Sequence, residues 1–437
     1  MTETLAIRGG IPVVPKGLHR RWPMTTDEDK AAVLAALDSG IVSGPYAPQV
    51  KALEEEWARY CDVRYALTTN SGTAALHTAV AAGRIGTGDQ VITTAFTFLA
   101  TALAVLQNNA VPVFADIDPR TFTIDPAKIE ERITARTRAI LPVHIHGLPA
   151  DMHRIQAIAT THGLLVIEDA AQAHGATYRG RKVGGIGDMG CFSFQASKNL
   201  PAGEGGMFVT NRPDLRERAN RFRMFGEDIQ ESDRKAFDPA RPLDGVREYN
   251  ALMMGWMYRT NELTAALCRS QLRRLDHWLA NTRRNAAYLT LHLGKIPGIT
   301  PPFVPPDCTS SYYQYRIRLD PRAAGVDLPP KEFRLKVLAA LKAEGVEVSL
   351  WQTVPVPGQT LFQERTGYGL SCPWKCPLGE EVKYDLAEYP ETIRLLADSL
   401  VIGSHSYPLF PQPMELMQYF VEAIQRVFAN REVGMRQ

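Results

Sequence analysis

Leu164-Leu165-Val166-Ile167-Glu168-Asp169-Ala170-Ala171 is an apolar run that ends in two acids. Its length and its β-branched and aliphatic residues read as a strand buried on both faces. Working outward, residues 152–161 have helical spacing and 139–143 form a second apolar run upstream. Residues 190–194 and 207–210 continue the series downstream, while 65–69, 90–94 and 111–115 extend it toward the N-terminus. Helical segments over 73–82 and 98–107 lie between these early strands. Strands alternating with helices indicate βαβ units, hence an α/β architecture around a largely parallel sheet. In such a sheet the ligand crevice lies beyond the carboxyl ends of the strands, where Asp169 would stand.

The flanks read differently. Arg8-Gly9-Gly10-Ile11-Pro12-Val13-Val14-Pro15 is an extended arm; a helix follows over 27–37, capped by Thr25 or Thr26, and Ser43-Gly44-Pro45 separates it from another over 48–60. The alternation fades after about residue 215. Residues 248–256 lead to one long helix over 261–293, whose Arg269, Arg273, Arg274, Arg283 and Arg284 form a solvated basic face. Beyond it, strands over 313–319 and 347–350 and helices over 331–344 and 414–428 give a smaller α+β unit. The Pro-rich stretch 353–389 reads as a long loop near the mouth of a site. The expected organisation is an arm over 1–25, a large domain over 26–270 and a smaller C-terminal domain over 271–437.

Composition narrows the partners. Against 49 Lys and Arg stand 47 Asp and Glu, a net charge of +2 that lacks the basic excess of a nucleic-acid binder. No stretch has the roughly 20 apolar residues needed to cross a bilayer, and Met1 to Ile7 has no secretory pattern, so the expectation is cytoplasmic. Six cysteines in 437 residues make no disulfide framework. Cys372 and Cys376 form the one close pair, without the further Cys or His that a metal site would need.

Several polar residues follow strand ends. Asp169 is aimed at a cationic nitrogen, or else caps a helix. Lys198, in Phe192-Ser193-Phe194-Gln195-Ala196-Ser197-Lys198, is a confined amine able to attack a carbonyl and shuttle protons, or else a surface lysine. Asn70-Ser71-Gly72-Thr73 opens a helix directly after a strand, which makes either an anion seat or an ordinary cap. Phe98 covers a flat ring or packs in the core. His174 lines the crevice or makes a structural hydrogen bond, and His146 has no chemistry assigned. Taken together, these are the parts that a pyridoxal phosphate enzyme requires: a lysine for the aldehyde, a carboxylate for the ring nitrogen, donors for the phosphate and a cover for the ring.

The order Asn-Ser-Gly-Thr-Ala-Ala-Leu (70–76), Glu-Asp-Ala-Ala-Gln-Ala-His-Gly (168–175) and Phe-Ser-Phe-Gln-Ala-Ser-Lys (192–198) resembles the DegT/DnrJ/EryC1/StrS aminotransferase family. The likeness is strongest over 40–211 and continues through Gly255-Trp256-Met257-Tyr258-Arg259-Thr260-Asn261-Glu262. The resemblance implies a fold type I transferase with a mostly parallel, seven-stranded sheet and pyridoxal 5'-phosphate as cofactor. It implies Lys198 as the Schiff-base lysine, Asp169 at the pyridine nitrogen, Gln172 near the ring hydroxyl and Phe98 over the ring. Ser71, Gly72, Thr73, Ser193 and Gln195 would hold the phosphate. It also implies a homodimer with its sites at the interface, where Arg259 and Asn261 reach the partner's cofactor. Many sugar-nucleotide members have Tyr-Asn where this chain has Tyr258-Arg259, so arginine stands in for their asparagine.

The Tyr-Arg-x-Asn-Glu form and the Gly9-Gly10-Ile11-Pro12-Val13 opening are similar to the cyclitol and aminohydroxybenzoate branches. The expected reaction moves an amine from L-glutamine or L-glutamate to a keto-cyclitol such as scyllo-inosose, in antibiotic-type secondary metabolism. Nucleotide keto-sugar amination and an aminohydroxybenzoate-synthase-like reaction are the alternatives. Relatives that act as dehydratases or regulators lack the lysine, and the presence of Lys198 argues against that class.

Overall fold

The computed structural model describes residues 4–44, 47–228, 250–376, 378 and 382–430. Its first sheet has β1 (Tyr65–Thr69), β2 (Gln90–Thr94), β3 (Val111–Ala115), β4 (Thr137–Leu141), β5 (Leu165–Asp169), β8 (Met189–Ser193) and β9 (Gly206–Thr210) in the order β1-β9-β8-β5-β4-β2-β3. Pairing is parallel from β8 through β5, β4 and β2 to β3, and only β9 runs against the rest. The short β6 (Thr177–Tyr178) and β7 (Arg181–Lys182) form a ladder with β11 (Cys308–Thr309). A second, antiparallel sheet joins β10 (Ile299–Thr300), β12 (Tyr315–Leu319), β14 (Ser399–Ile402) and β13 (Val348–Ser349) in that order.

The parallel strands are buried along nearly their whole length because helices cover both faces, which is why they read as continuous apolar runs. One face packs around Trp57, Ile140, Phe192 and Phe194; the other packs around Leu76, Val80, Val105 and Phe208. The helix Gly72–Ala82 is buried at all but one residue, and its run of alanines lets it lie close against β8 and β9. A separate core around Ile317, Phe333 and Phe420 supports the second sheet and takes in Leu5 and Val14 from the N-terminal arm. That arm is fixed at Glu344, whose carboxylate accepts the backbone N–H groups of Ala6 (2.8 Å) and Val13 (3.1 Å).

Three expectations need correction. The helical stretch after Asn261 is two helices, Glu262–Leu272 and Leu275–Leu293, parted at Arg273 and Arg274. Both halves carry helical periodicity; the break lets Arg274 turn back to Asp29 (2.7 Å), the residue that closes the capping box at Thr26. The basic run is therefore only partly a solvated face. Arg269 pairs with Glu56 and Arg283 donates to the carbonyls of Ser310 and Gly175, while Arg273 and Arg284 are exposed. The stretch 353–389 is also more ordered than a loop. It contains the helix Thr360–Glu364, and Phe362, Trp374, Tyr384 and Tyr389 pack against Phe114 at the β3 edge. Of the segment expected to lead into the helices, residues 248 and 249 lie outside the described residues, as does Pro45. Among the described residues, no helix is long and apolar enough to cross a membrane, and no group of three or more His, Cys, Asp or Glu could hold a metal.

Candidate active site

Successive side chains of a strand point to opposite faces, so β5 sends its two terminal acids apart. Glu168 accepts the N–H groups of Gly184 (2.7 Å), Ile186 (2.7 Å) and Gly187 (2.6 Å), and Nε2–H of His144 (2.9 Å). His144 Nδ1 accepts the N–H of Ala150 (3.0 Å), which puts the ring proton on Nε2. Asp169, on the other face, takes only Thr101 Oγ1–H on Oδ2 (2.7 Å) and the Ala171 N–H on Oδ1 (3.1 Å). No helix starts after it, so its bond to Ala171 closes a local Asx turn rather than a helix cap. Burial pushes the Asp169 carboxyl up from its ordinary range, opposed by Thr101, Ala171 and the nearby Lys198 ammonium. A buried carboxylate with two donors has lone pairs left for a cationic partner.

Beyond β8 the chain doubles back through a turn held by Gln195. Its side-chain oxygen accepts the N–H (2.8 Å) and Oγ–H (2.7 Å) of Ser197, and its carbonyl accepts the N–H of Lys198 (2.8 Å). Lys198 is half-buried, with Nζ 4.6 Å from the centre of the Tyr313 ring. Two residues from distant parts of the chain secure it. Trp22 Nε1–H donates to the Lys198 carbonyl (3.0 Å), and the Tyr313 hydroxyl lies 3.0 Å from Ser197 Oγ.

The anion turn lies alongside. Ser71 serves as the helix cap, its hydroxyl accepting the N–H of Ala74 (3.0 Å). The N–H groups of Gly72 and Thr73 fall in the first turn, where the helix offers no partner and its dipole favours an anion. A Cβ on Gly72 would come within 2.7 Å of the Ser193 Cβ, so the turn and the end of β8 form one cradle. The Asn70 N–H donates to the Tyr258 carbonyl (2.6 Å) and Asn70 Nδ2 to the Met257 carbonyl (3.4 Å), which brings 257–261 to the same turn. Asn261 caps the following helix through the Thr264 N–H (2.9 Å), and Arg259 is half-buried beside it.

Phe98 is 57% exposed, which removes core packing as its role; the buried ring nearby is Phe96. Gln172 is buried, its side-chain oxygen accepting the His146 N–H (2.8 Å). His174 fits neither of its expected roles. It sits among Trp57, Phe192 and Phe194, where neither ring nitrogen makes a hydrogen bond of good geometry and only the Ser193 backbone gives a weak polar contact. Burial and the Lys198 charge push its pKa down to about 3.

Sequence reasoning missed Thr101, Trp22 and Tyr313. Thr101 had a faint signal: it follows Thr97 by four residues, one helical turn, and the two hydroxyls lie 2.7 Å apart. Trp22 and Tyr313 had none, being 176 and 115 residues from Lys198 along the chain.

A profile of the DegT/DnrJ/EryC1/StrS aminotransferase family matches residues 23–390. The chain is 39% identical over 341 residues to an L-glutamine:2-deoxy-scyllo-inosose aminotransferase of Streptoalloteichus tenebrarius, covering 75% of this chain and 77% of the relative. It is 37% identical over 354 residues to a dTDP-3-amino-3,4,6-trideoxy-alpha-D-glucose transaminase of Streptomyces venezuelae, covering 80% and 85%. The crystal structure of 3-amino-5-hydroxybenzoic acid synthase superposes with a TM-score of 0.81 at 27% identity, over 96% of this chain and 100% of that one.

Proposed function

The chain belongs to the DegT/DnrJ/EryC1/StrS aminotransferase family, pyridoxal-phosphate enzymes of sugar and cyclitol metabolism, and from that premise we propose that it moves an amino group from L-glutamine or L-glutamate to a keto-cyclitol of the scyllo-inosose kind. The observation that carries this choice is the 39% identity to a relative named for such an acceptor. The Tyr258-Arg259-Thr260-Asn261-Glu262 segment agrees with it. The setting on this reading is cytoplasmic secondary metabolism. A nucleotide keto-sugar is the second reading, favoured by the 37% identity to the dTDP-sugar transaminase.

The residues fit the cofactor. Asp169 is a buried acid short of partners, Gly72 leaves space against Ser193 that a side chain would fill, and Phe98 holds an exposed ring. When bound, pyridoxal phosphate supplies an aldehyde that takes the amine and a ring that takes up the electron pair left on carbon. Lys198 Nζ would hold the aldehyde between turnovers and carry the proton during the transfer. Asp169 would keep a proton on the ring nitrogen, with Thr101 fixing the turn of its carboxylate. Gly72 and Thr73 would meet the phosphate with backbone N–H groups and Ser193 with its hydroxyl. Gln195 adds its amide nitrogen, and Ser71 acts through its cap. Gln172 would stand near the ring hydroxyl.

On the same reading the enzyme is a homodimer. Phe225, Leu252, Met254, Trp256 and Met257 expose apolar side chains beside the anion turn, a patch that a second copy would cover. Arg259 and Asn261 would then reach the partner's cofactor. Residues 26–270 would be the cofactor-binding domain, 271–437 the smaller domain and 1–25 the arm.

The test starts from enzyme converted to its pyridoxamine form by L-glutamine, to which ketones are added one at a time. Scyllo-inosose should restore the absorbance of the lysine-linked cofactor fastest. Restoration by nucleotide keto-sugars alone would transfer the assignment to the second reading.

A further inference from the structure

Between the crevice and the antiparallel sheet lies a cation with no carboxylate of its own. Arg316, in the middle of β12, is 2% exposed. It donates to three neutral acceptors: His146 Nε2 (3.0 Å), Ser399 Oγ (2.6 Å) and the Trp351 carbonyl (2.9 Å). The carboxylate that acts on it, Asp398, is already engaged by Arg318. Arg334, also buried, donates to the Leu396 carbonyl and adds a further positive charge. A buried charge without a counter-ion is costly, and folded chains seldom keep one without use.

The neighbours of Arg316 lack partners as well. A guanidinium can only donate, so His146 Nε2 accepts and the ring proton sits on Nδ1. Burial and the Arg316 charge hold the His146 pKa far below its ordinary value, and its Nδ1 makes no hydrogen bond of good geometry, with only the Gln172 side chain in weak polar contact. Gln314 has its side-chain oxygen buried and unpartnered while Nε2 faces His405 Nε2 (3.4 Å). Turning that amide over lets His405 donate to the oxygen and aims an N–H donor where the oxygen now points. Arg316, His146 and Gln314 wall one cavity, and Arg120 forms its lip with its guanidinium 3.9 Å from the centre of the Phe303 ring. Among the described residues, no side chain lining this cavity is a carboxylate.

The cavity does not touch the lysine, but the Lys198 charge is felt at His146 and His405 beside it. His146 is tied to Gln172 through its backbone N–H, and Gln314 touches His405, which stacks on the Tyr313 ring below Lys198 Nζ. We propose that this cavity binds the carboxylate of a small molecule, with Arg316 supplying the charge and the fork of N–H groups, and His146 and Gln314 supplying further donors. The carboxylate comes from the amino donor proposed above or from a free acid, and the recognition chemistry is the same for both.

Glutarate has the carboxylates but no amine to transfer, and serves as the probe. It is titrated by calorimetry into the cofactor-loaded wild-type enzyme and into Arg316→Lys and Arg316→Gln, with Tm and cofactor absorbance as fold controls. Saturable binding to the wild type is expected, weakened about tenfold in Arg316→Lys and about a hundredfold in Arg316→Gln. No saturable binding to the wild type overturns the proposal, as does wild-type affinity in whichever variant folds. Competition with L-glutamine, together with a raised donor KM and unchanged acceptor KM in Arg316→Lys, supports it and assigns the carboxylate to the donor. Binding that leaves donor KM untouched also supports it and assigns the cavity to a free acid. Because the readout is heat of binding, the result stands whether or not the cyclitol reading does.

Discussion

The two faces of the β5 end make the sharpest contrast in the molecule. Glu168 and Asp169 are adjacent acids of one charge type, yet one meets four hydrogen-bond donors and the other two. On the Glu168 face the protein has closed its own hydrogen-bond account, so the acid holds the 184–187 loop and the His144 ring in place. On the Asp169 face it has left capacity for something brought from outside. On the role proposed for Asp169, structure and function separate here by a single residue of strand register.

Substitutions can break or sharpen that contrast. The largest effect is expected at the crevice: Lys198→Ala should lower transamination by at least about 10^4-fold and abolish the absorbance of the lysine-linked cofactor. A retained band would remove Lys198 from its assigned role. Asp169→Asn should lower kcat by about 10^2- to 10^4-fold without lowering Tm, since its burial as a charge costs stability. Glu168→Ala should show the reverse pattern. It strands His144 and three backbone N–H groups, costing about 3–5 kcal/mol in urea unfolding while the folded fraction keeps turning over. Equal effects of the two substitutions on Tm and kcat would erase the distinction drawn between the faces.

A smaller effect is expected at His174, whose folded pKa of about 3 lies below its ordinary 6.5. The unfolded chain binds the proton more tightly, so stability is lost as pH falls through the interval from about 6.5 to about 3. His174→Phe should flatten that acid limb in melts between pH 7 and 5. A limb as steep as the wild type's would show that another group carries it, the buried His77, with a pKa lowered to about 4, being the first to test. The smallest effect is expected for Trp22→Phe, which keeps the ring and removes one hydrogen bond to the Lys198 carbonyl, about 1 kcal/mol, read as a slight shift in the pH titration of the cofactor band.

The strand-end residues were legible because each announces itself locally: an acid, a lysine or a glycine turn directly after an apolar run. Lys198, Asp169 and the Ser71–Thr73 turn all have that signature. The walls around them were not legible, because Trp22, Tyr313 and Arg316 come from segments whose local pattern concerns a different core. Thr101 is hidden in an alanine-rich helix, and its partner Thr97 lies just before that helix begins. The break at Arg273 and Arg274 escaped notice because a tertiary ion pair, rather than a change of period, decides it. His174 was misplaced for the opposite reason. Its two-residue offset from Gln172 suggested the crevice, while the aromatic cluster that encloses it is assembled from Trp57 and β8.

The tie from Trp22 to Lys198 also bears on the order of events during folding. Trp22 donates its backbone N–H to the Ser406 carbonyl (2.8 Å) and packs on Phe410, while its indole holds the lysine turn. The turn that presents the amine is thus bracketed by residues near both extremes of the described chain. A polypeptide emerging from the ribosome can form the parallel sheet early, but it cannot latch that turn until the residues around 406–410 have been made. On the role proposed for Lys198, capture of the cofactor in its final geometry would therefore wait for those residues.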